Sequence, residues 1–213
     1  MLALLGLPAA FRTVRFELTP LFSEDHLPFW AGMILVVFLW SWRWRHARWG
    51  RFITTIEHEC LHALIGMLTL IPVRELKVRE DGSGHVLFEP PGHWLLYLAP
   101  YFIPLLLLIE VGLIGLLKLP NPFEEAALGA VMALTLMGHI RQIHPRQTDF
   151  RHAGILFTTT FLPTAFLLCY SAVFSLMNQE GPSGVLAMGQ VWADMAWTDA
   201  QWVWETGLHW LGL

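Results

Sequence analysis

The sequence is poor in charge. Of its 213 residues 14% are Asp, Glu, Lys or Arg and 55% are hydrophobic, whereas a soluble domain carries about 25% charged residues. That deficit excludes an ordinary soluble domain. Several apolar runs approach or exceed the ~20 residues that cross a bilayer, so a polytopic membrane protein is expected. Cysteine is scarce as well. Cys60 and Cys169 both fall in apolar runs, which excludes a disulfide framework. Residues 1–10 are apolar but hold no Lys or Arg, so they lack the basic region of a cleaved signal peptide. Internal repeats, low-complexity tracts and interdomain linkers are absent. No Lys or Arg follows Arg151.

The basic residues that exist are clustered. Arg43, Arg45, Arg48 and Arg51 alternate with Trp40, Trp42, Trp44 and Trp49 at the end of the apolar run Leu27–Trp42. At that position they read as an interfacial belt on the cytoplasmic side of a membrane, not as a nucleic-acid surface. The net charge of −4 adds nothing to a nucleic-acid reading, and no such partner is expected. Arg141, Arg146 and Arg151 mark a second basic connection on the same side.

Between and beyond these clusters the runs are Phe52–Ile71, Trp94–Leu117 (with Pro100, Pro104 and a lone Glu110), Phe123–Ile140 and Ala153–Leu176. Pro72 ends the first of them. Val73–Glu80 and His85–Glu89 flank Asp81-Gly82-Ser83-Gly84, the pattern of a β-hairpin. Pro90-Pro91-Gly92 breaks the hairpin, and Leu119-Pro120-Asn121-Pro122 makes a tight turn. Val185–Leu213 is rich in Trp but carries Asp194, Asp199 and Glu205, which suits a helix lying in the membrane interface. The expected fold is all-α and polytopic, with about 4–5 membrane helices, a small β-hairpin and a C-terminal interfacial helix. The division is 1–176, a membrane-embedded domain with its core at about 50–165, and 177–213, the Trp-rich segment.

Chemistry concentrates in His58-Glu59-Cys60-Leu61-His62, inside the apolar run Phe52–Ile71. On a helix, His58 and His62 lie about 40° apart around the axis and can grip one ion. Glu59 is about 100° from His58, within reach of a water on that ion. Two neutral imidazoles suit Zn²⁺, and a neighbouring carboxylate can take the proton of its water. Cys60 points elsewhere and reads as a packing residue. The competing reading of the motif is a chance match, which its apolar helical setting opposes. A catalytic zinc needs a third protein ligand. His85, His93, Glu110, His139, His144, Asp149 and His152 all lie near the runs. His58 sits about 10 Å along a helix from Arg51, so groups next to the second basic connection reach the same depth. Asp149 comes first there, with His139 and His144 as alternatives. A carboxylate in an ordinary helix N-terminus is the bland reading of Asp149. Glu110 is either functional, as ionisable groups inside a span tend to be, or protonated and hydrogen-bonded between helices. Glu57 faces away from His58 and reads as structural.

The motif helix, the Gly-containing hairpin after it and Leu98-Ala99-Pro100-Tyr101-Phe102 together resemble the site-2-protease family of membrane-embedded zinc metallopeptidases, over roughly residues 50–165. The resemblance implies Zn²⁺ held by His58, His62 and an Asp opening a later helix, for which Asp149 is the match; Phe150 follows it where the family has L-D-G. It implies Glu59 as general base and a zinc-activated water that hydrolyses peptide bonds of membrane-protein or peptide substrates. The expectation is an integral multi-pass protein of a bacterial cytoplasmic membrane, surrounded by lipid, with the metal site nearer the cytoplasmic face. The alternative is a non-catalytic assembly subunit or metal-binding regulator that retains the motif. One difficulty is topological. Three apolar runs lie between Arg51 and Arg141, so one of them must fall short of a full crossing if both basic connections share a side. The motif helix with its hairpin is the expected part-way element.

Overall fold

The computed structural model describes residues 2–79, 81–89, 92–117, 121–144 and 147–211. Pro90-Pro91, Leu119-Pro120 and Pro145-Arg146, parts of the expected breaks and of the second basic connection, lie outside them. The helices are α1 (Leu2–Leu18), α2 (Leu27–Leu39), α3 (Arg48–Leu68), α4 (Trp94–Leu98), α5 (Leu105–Leu117), α6 (Asn121–Gln142), α7 (Thr148–Ala153), α8 (Ile155–Ser175) and α9 (Gly181–Leu211). Strands β1 (Val73–Val78) and β2 (Gly84–Phe88) pair antiparallel as the expected hairpin. The fold is helical with this one small sheet among the described residues.

Three helical segments are long and apolar enough to cross a membrane: Glu24–Trp44, Asn121–Gln142 and Ile155–Asn178. A fourth arises if Trp94–Tyr101 and Leu105–Ile114, bent by 68° at their break, count as one span. That is close to the expected four to five. The bend falls at Phe102-Ile103-Pro104, because proline has no N–H to give a helix and disfavours helical geometry in the residue before it. The motif helix α3 is not among these segments. With α3 set aside, the bent pair and α6 separate the two basic connections.

The chain forms two compact units, Ser23–Thr158 and Met1–Phe22 with Thr159–Leu213. In the first, α2 and α6 lie backbone to backbone. A Cβ on Gly32 would fall inside the Ala126 carbonyl oxygen, and one on Gly129 inside that of Phe29. Small residues permit this approach where no water drives association. His26 next to α2 pairs with Glu125 of α6 at 2.9 Å. Since backbone cannot give way, Gly129→Val should destabilise the fold by about 1–3 kcal/mol or more. Gly112 of α5 has open space around it, so Gly112→Ala should be neutral or stabilising, by up to about 1 kcal/mol. Unfolding in mixed micelles at increasing denaturant measures both.

Also in this unit, the hairpin is fastened to α3. Thr55 Oγ1 donates to the Gly82 carbonyl at 2.9 Å, and Arg51 Nε to that of Asp81 at 3.1 Å. Gly82 takes a φ of +83° at the turn, which glycine adopts without penalty. Ile65, Leu96 and Ala99 form a buried cluster with Phe88 and Tyr97 against it. This apolar contact brings α3, β2 and α4 together around the motif.

In the second unit, α1 packs on α9. Trp192 Nε1 donates to the Gly6 carbonyl at 3.1 Å, and Arg12 pairs with Asp199 at 2.7 Å. Trp197, Trp202 and Trp204 of α9 are exposed, and α9 is not among the segments apolar enough to span.

Candidate functional site

Leu61, His62, Ala63, Ile65 and Gly66 of α3 are all buried; at 100° per residue they cover about 200° of the helix, so α3 is packed against the rest of the unit on more than one side. His58, Glu59 and His62 fall within that arc. Glu59 and His62 are buried, at 7% and 5% exposure. Helix α7 delivers Asp149 to the same place. It follows extended Gln147 and ends where Gly154 adopts a φ of +94°. Asp149 therefore opens a short helix of its own, not the long Ala153–Leu176 run. Gly154 separates the two because its left-handed geometry breaks helix continuity.

His58 Nε2 and His62 Nε2 are 3.1 Å apart. Asp149 Oδ2 lies 3.7 Å from the first and 3.5 Å from the second. Around a tetrahedral zinc with bonds of about 2.1 Å, ligand atoms stand about 3.4 Å from one another. Hydrogen bonds on the far sides of the rings say how they are protonated. His62 Nδ1 is 2.7 Å from the Leu96 carbonyl, which can only accept, so Nδ1 carries the hydrogen. His58 Nδ1 is 2.8 Å from Gln142 Oε1. In neutral rings both Nε2 lone pairs then face one point beside a carboxylate oxygen. Two lone pairs and an anion repel one another unless a cation lies between them, so the residues present fit a divalent metal. His58, His62 and Asp149 are the group among the described residues able to hold one.

Asp149 is held from behind. Tyr101 donates its hydroxyl to Oδ2 at 2.7 Å. Burial acts to raise the carboxyl's pKa, and the Tyr101 hydrogen bond acts to lower it. The Tyr101 ring also meets the His58 ring edge to face, with centroids 5.0 Å apart.

His58, Glu59, His62 and Asp149 line one cleft of about 370 Å³. Residues 84–88 of β2 form a wall, and Tyr97, Gln147, Thr148 and His152 complete it. The hairpin approaches Glu59 closely. A Cβ on Gly84 would stand 2.8 Å from Glu59 Cγ and 2.9 Å from its Oε1, so β2 can lie against Glu59 only with glycine there. The His152 ring stacks on Tyr97 at 5.0 Å.

Other residues singled out in the sequence lie elsewhere. His139 is buried and His144 exposed, and neither joins the group. Cys60 is a free thiol outside it. Glu57 accepts the Leu106 N–H at 3.2 Å, a structural tie to the start of α5. Glu110 keeps a buried Oε2 with no hydrogen bond among the described residues, away from the cleft lining. Of the groups that orient the three converging side chains, Gln142 and the Leu96 carbonyl were not singled out, and Tyr101 was noted only within the run Leu98-Ala99-Pro100-Tyr101-Phe102, with no role of its own. The one available signal was polarity, a hydroxyl and an amide beside otherwise apolar runs.

No curated protein and no solved structure matches the chain. A family model described as Peptidase M50B-like matches residues 31–179, which include the motif helix, the hairpin and Asp149. This is a family of membrane peptidases, and the apolar helices make this chain an integral membrane protein. The match spans most of the sequence, and the chain belongs to the Peptidase M50B-like family, a site-2-protease family.

Proposed function

We propose that the chain is an intramembrane zinc metalloendopeptidase that hydrolyses peptide bonds of membrane-associated protein substrates. The convergence of His58 Nε2, His62 Nε2 and Asp149 Oδ2 in the cleft that Glu59 lines carries this reading. The three side chains are the ligands. Zinc bound there supplies Lewis-acid polarisation of the scissile carbonyl and of the attacking water.

The chain's own residues do the rest. Glu59 accepts the proton that the attacking water loses and returns it to the leaving amine. Leu96 and Gln142 keep the two imidazoles turned so that Nε2 faces inward, and Tyr101 does the same for the carboxylate. A substrate helix hides its peptide bonds and must unwind to be cut. All of β2 lines the cleft, and a two-stranded sheet leaves it one edge without a strand partner among the described residues. An unwound substrate segment added along that edge gains main-chain hydrogen bonds in place of those it lost.

We place the site toward the cytoplasmic face of a bacterial inner membrane, because both basic connections belong on that side. The bent pair and α6 between them supply two crossings, with α3 as the part-way element. That arrangement agrees with the meeting of Asp149 and α3.

Metal content tests the reading. The purified chain should carry about one zinc, and His58→Ala should lose it, since a catalytic zinc rests on three protein ligands. Cleavage that persists in the zinc-free chain would overturn the assignment. Zinc bound without any cleavage would leave a metal-binding regulator.

A further inference from the structure

The side chain of Gln142, at the last position of α6, makes two hydrogen bonds to the motif helix. Its Nε2 donates to the Thr54 carbonyl at 2.8 Å, and its Oε1 faces His58 Nδ1 at 2.8 Å. An amide can be turned either way, and its orientation has to be settled from its partners. The Thr54 carbonyl settles it, because a carbonyl cannot donate. The nitrogen end must face Thr54, so the oxygen end faces His58, and His58 must carry its hydrogen on Nδ1. Nε2 is then left bare toward His62 and Asp149. The same residue holds the other arm of the group. The Gln142 backbone carbonyl accepts from Gln147 Nε2 at 3.1 Å, and Gln147 is the extended residue from which α7 starts.

We propose that Gln142 is a positioning residue that fixes the tautomer and ring orientation of His58 and thereby sets the zinc affinity of the site. This rests on the zinc reading above. His62 needs no such residue, because the Leu96 backbone carbonyl performs that role. His58 has no backbone carbonyl in that place, and α6 supplies a side chain instead. The choice of an amide follows from the two partners, one of which needs a donor and the other an acceptor.

The test compares the full-length chain with Gln142→Met and Gln142→Glu in detergent. Zinc affinity is read by competition with a chromogenic chelator, and thermal unfolding of the zinc-free chains checks folding. Methionine keeps the length but offers His58 no comparable acceptor, so zinc should bind about 10- to 100-fold more weakly, the usual effect of removing an orienting partner. Glutamate loses the donor to Thr54 but keeps an acceptor for His58 Nδ1–H. It should stay within about threefold of the wild type, since a carboxylate is an established partner of a metal-bound histidine. A residue that only bridged α6 to α3 would give equal losses in both variants, and that result overturns the proposal. So does wild-type affinity in Gln142→Met. If Gln142→Met fails to fold, the ¹⁵N spectrum of the His58 ring in the zinc-free wild type decides. The Nδ1–H tautomer is expected, and the Nε2–H tautomer contradicts the assignment. That spectrum also separates this proposal from the zinc reading. A wild type without zinc affinity defeats the latter, while the tautomer is read without metal.

Discussion

Glu59→Gln should abolish cleavage and leave zinc in place. Glutamine is nearly the same size, so it fits beneath Gly84 where glutamate does now, but it cannot accept the proton of the attacking water. A general base contributes about 10²–10⁴-fold, and a loss in that range is expected. Because Glu59 is not one of the three converging donors, zinc stoichiometry should remain that of the wild type. The measurement is the turnover of a membrane-peptide substrate alongside the zinc content of the same sample. Loss of both together would make Glu59 a ligand, and loss of neither would remove it from the mechanism.

Asp149→Asn should have the larger effect on metal. The carboxylate provides the one negative charge among the three donors, and Asp149 Oδ2 sits within 3.7 Å of both imidazole nitrogens. Removing an orienting partner weakens metal binding about 10- to 100-fold, so replacing a charged ligand by a neutral amide should exceed about 100-fold. Tyr101 would still donate to the amide oxygen, which keeps α7 docked and separates loss of charge from loss of fold. Chelator competition reads the affinity, and helicity by circular dichroism reads the fold. Cys60→Ser should change neither. Full zinc retention in Asp149→Asn would move the third ligand elsewhere, with His139 and His144 as the next residues to replace.

The sequence made the motif helix legible because its chemistry is local. Spacing of one helical turn puts His58 and His62 on one face whatever surrounds them, and the following hairpin announces itself by Asp81-Gly82-Ser83-Gly84. Asp149 needed a nonlocal argument from basic connections at a common depth, and the structure brings it to both histidines. Its own helix was not legible. Gly154 breaks α7 from α8 through a positive φ, and a glycine beside an apolar run does not disclose its dihedral angle. The bend before α5 was half legible. Pro104 stood in plain view, but the continuous apolarity of Trp94–Leu117 concealed that two helices meet there. The roles of Gln142 and Tyr101 were beyond reach. Periodicity says which face a residue occupies on its own helix, not which helix lies opposite. Gln142 follows Arg141 at the end of a span and reads as one more interfacial polar residue until α3 is seen beside it.

The most direct test of the account is to map new protein termini by mass spectrometry after incubating the purified chain with detergent-extracted membrane proteins. Wild type and Glu59→Gln should be run in parallel, each with and without zinc removal. The account predicts termini within or beside apolar segments, present with the zinc-loaded wild type and missing from the other three samples. The same termini in the Glu59→Gln sample, or in the zinc-free wild type, would contradict it.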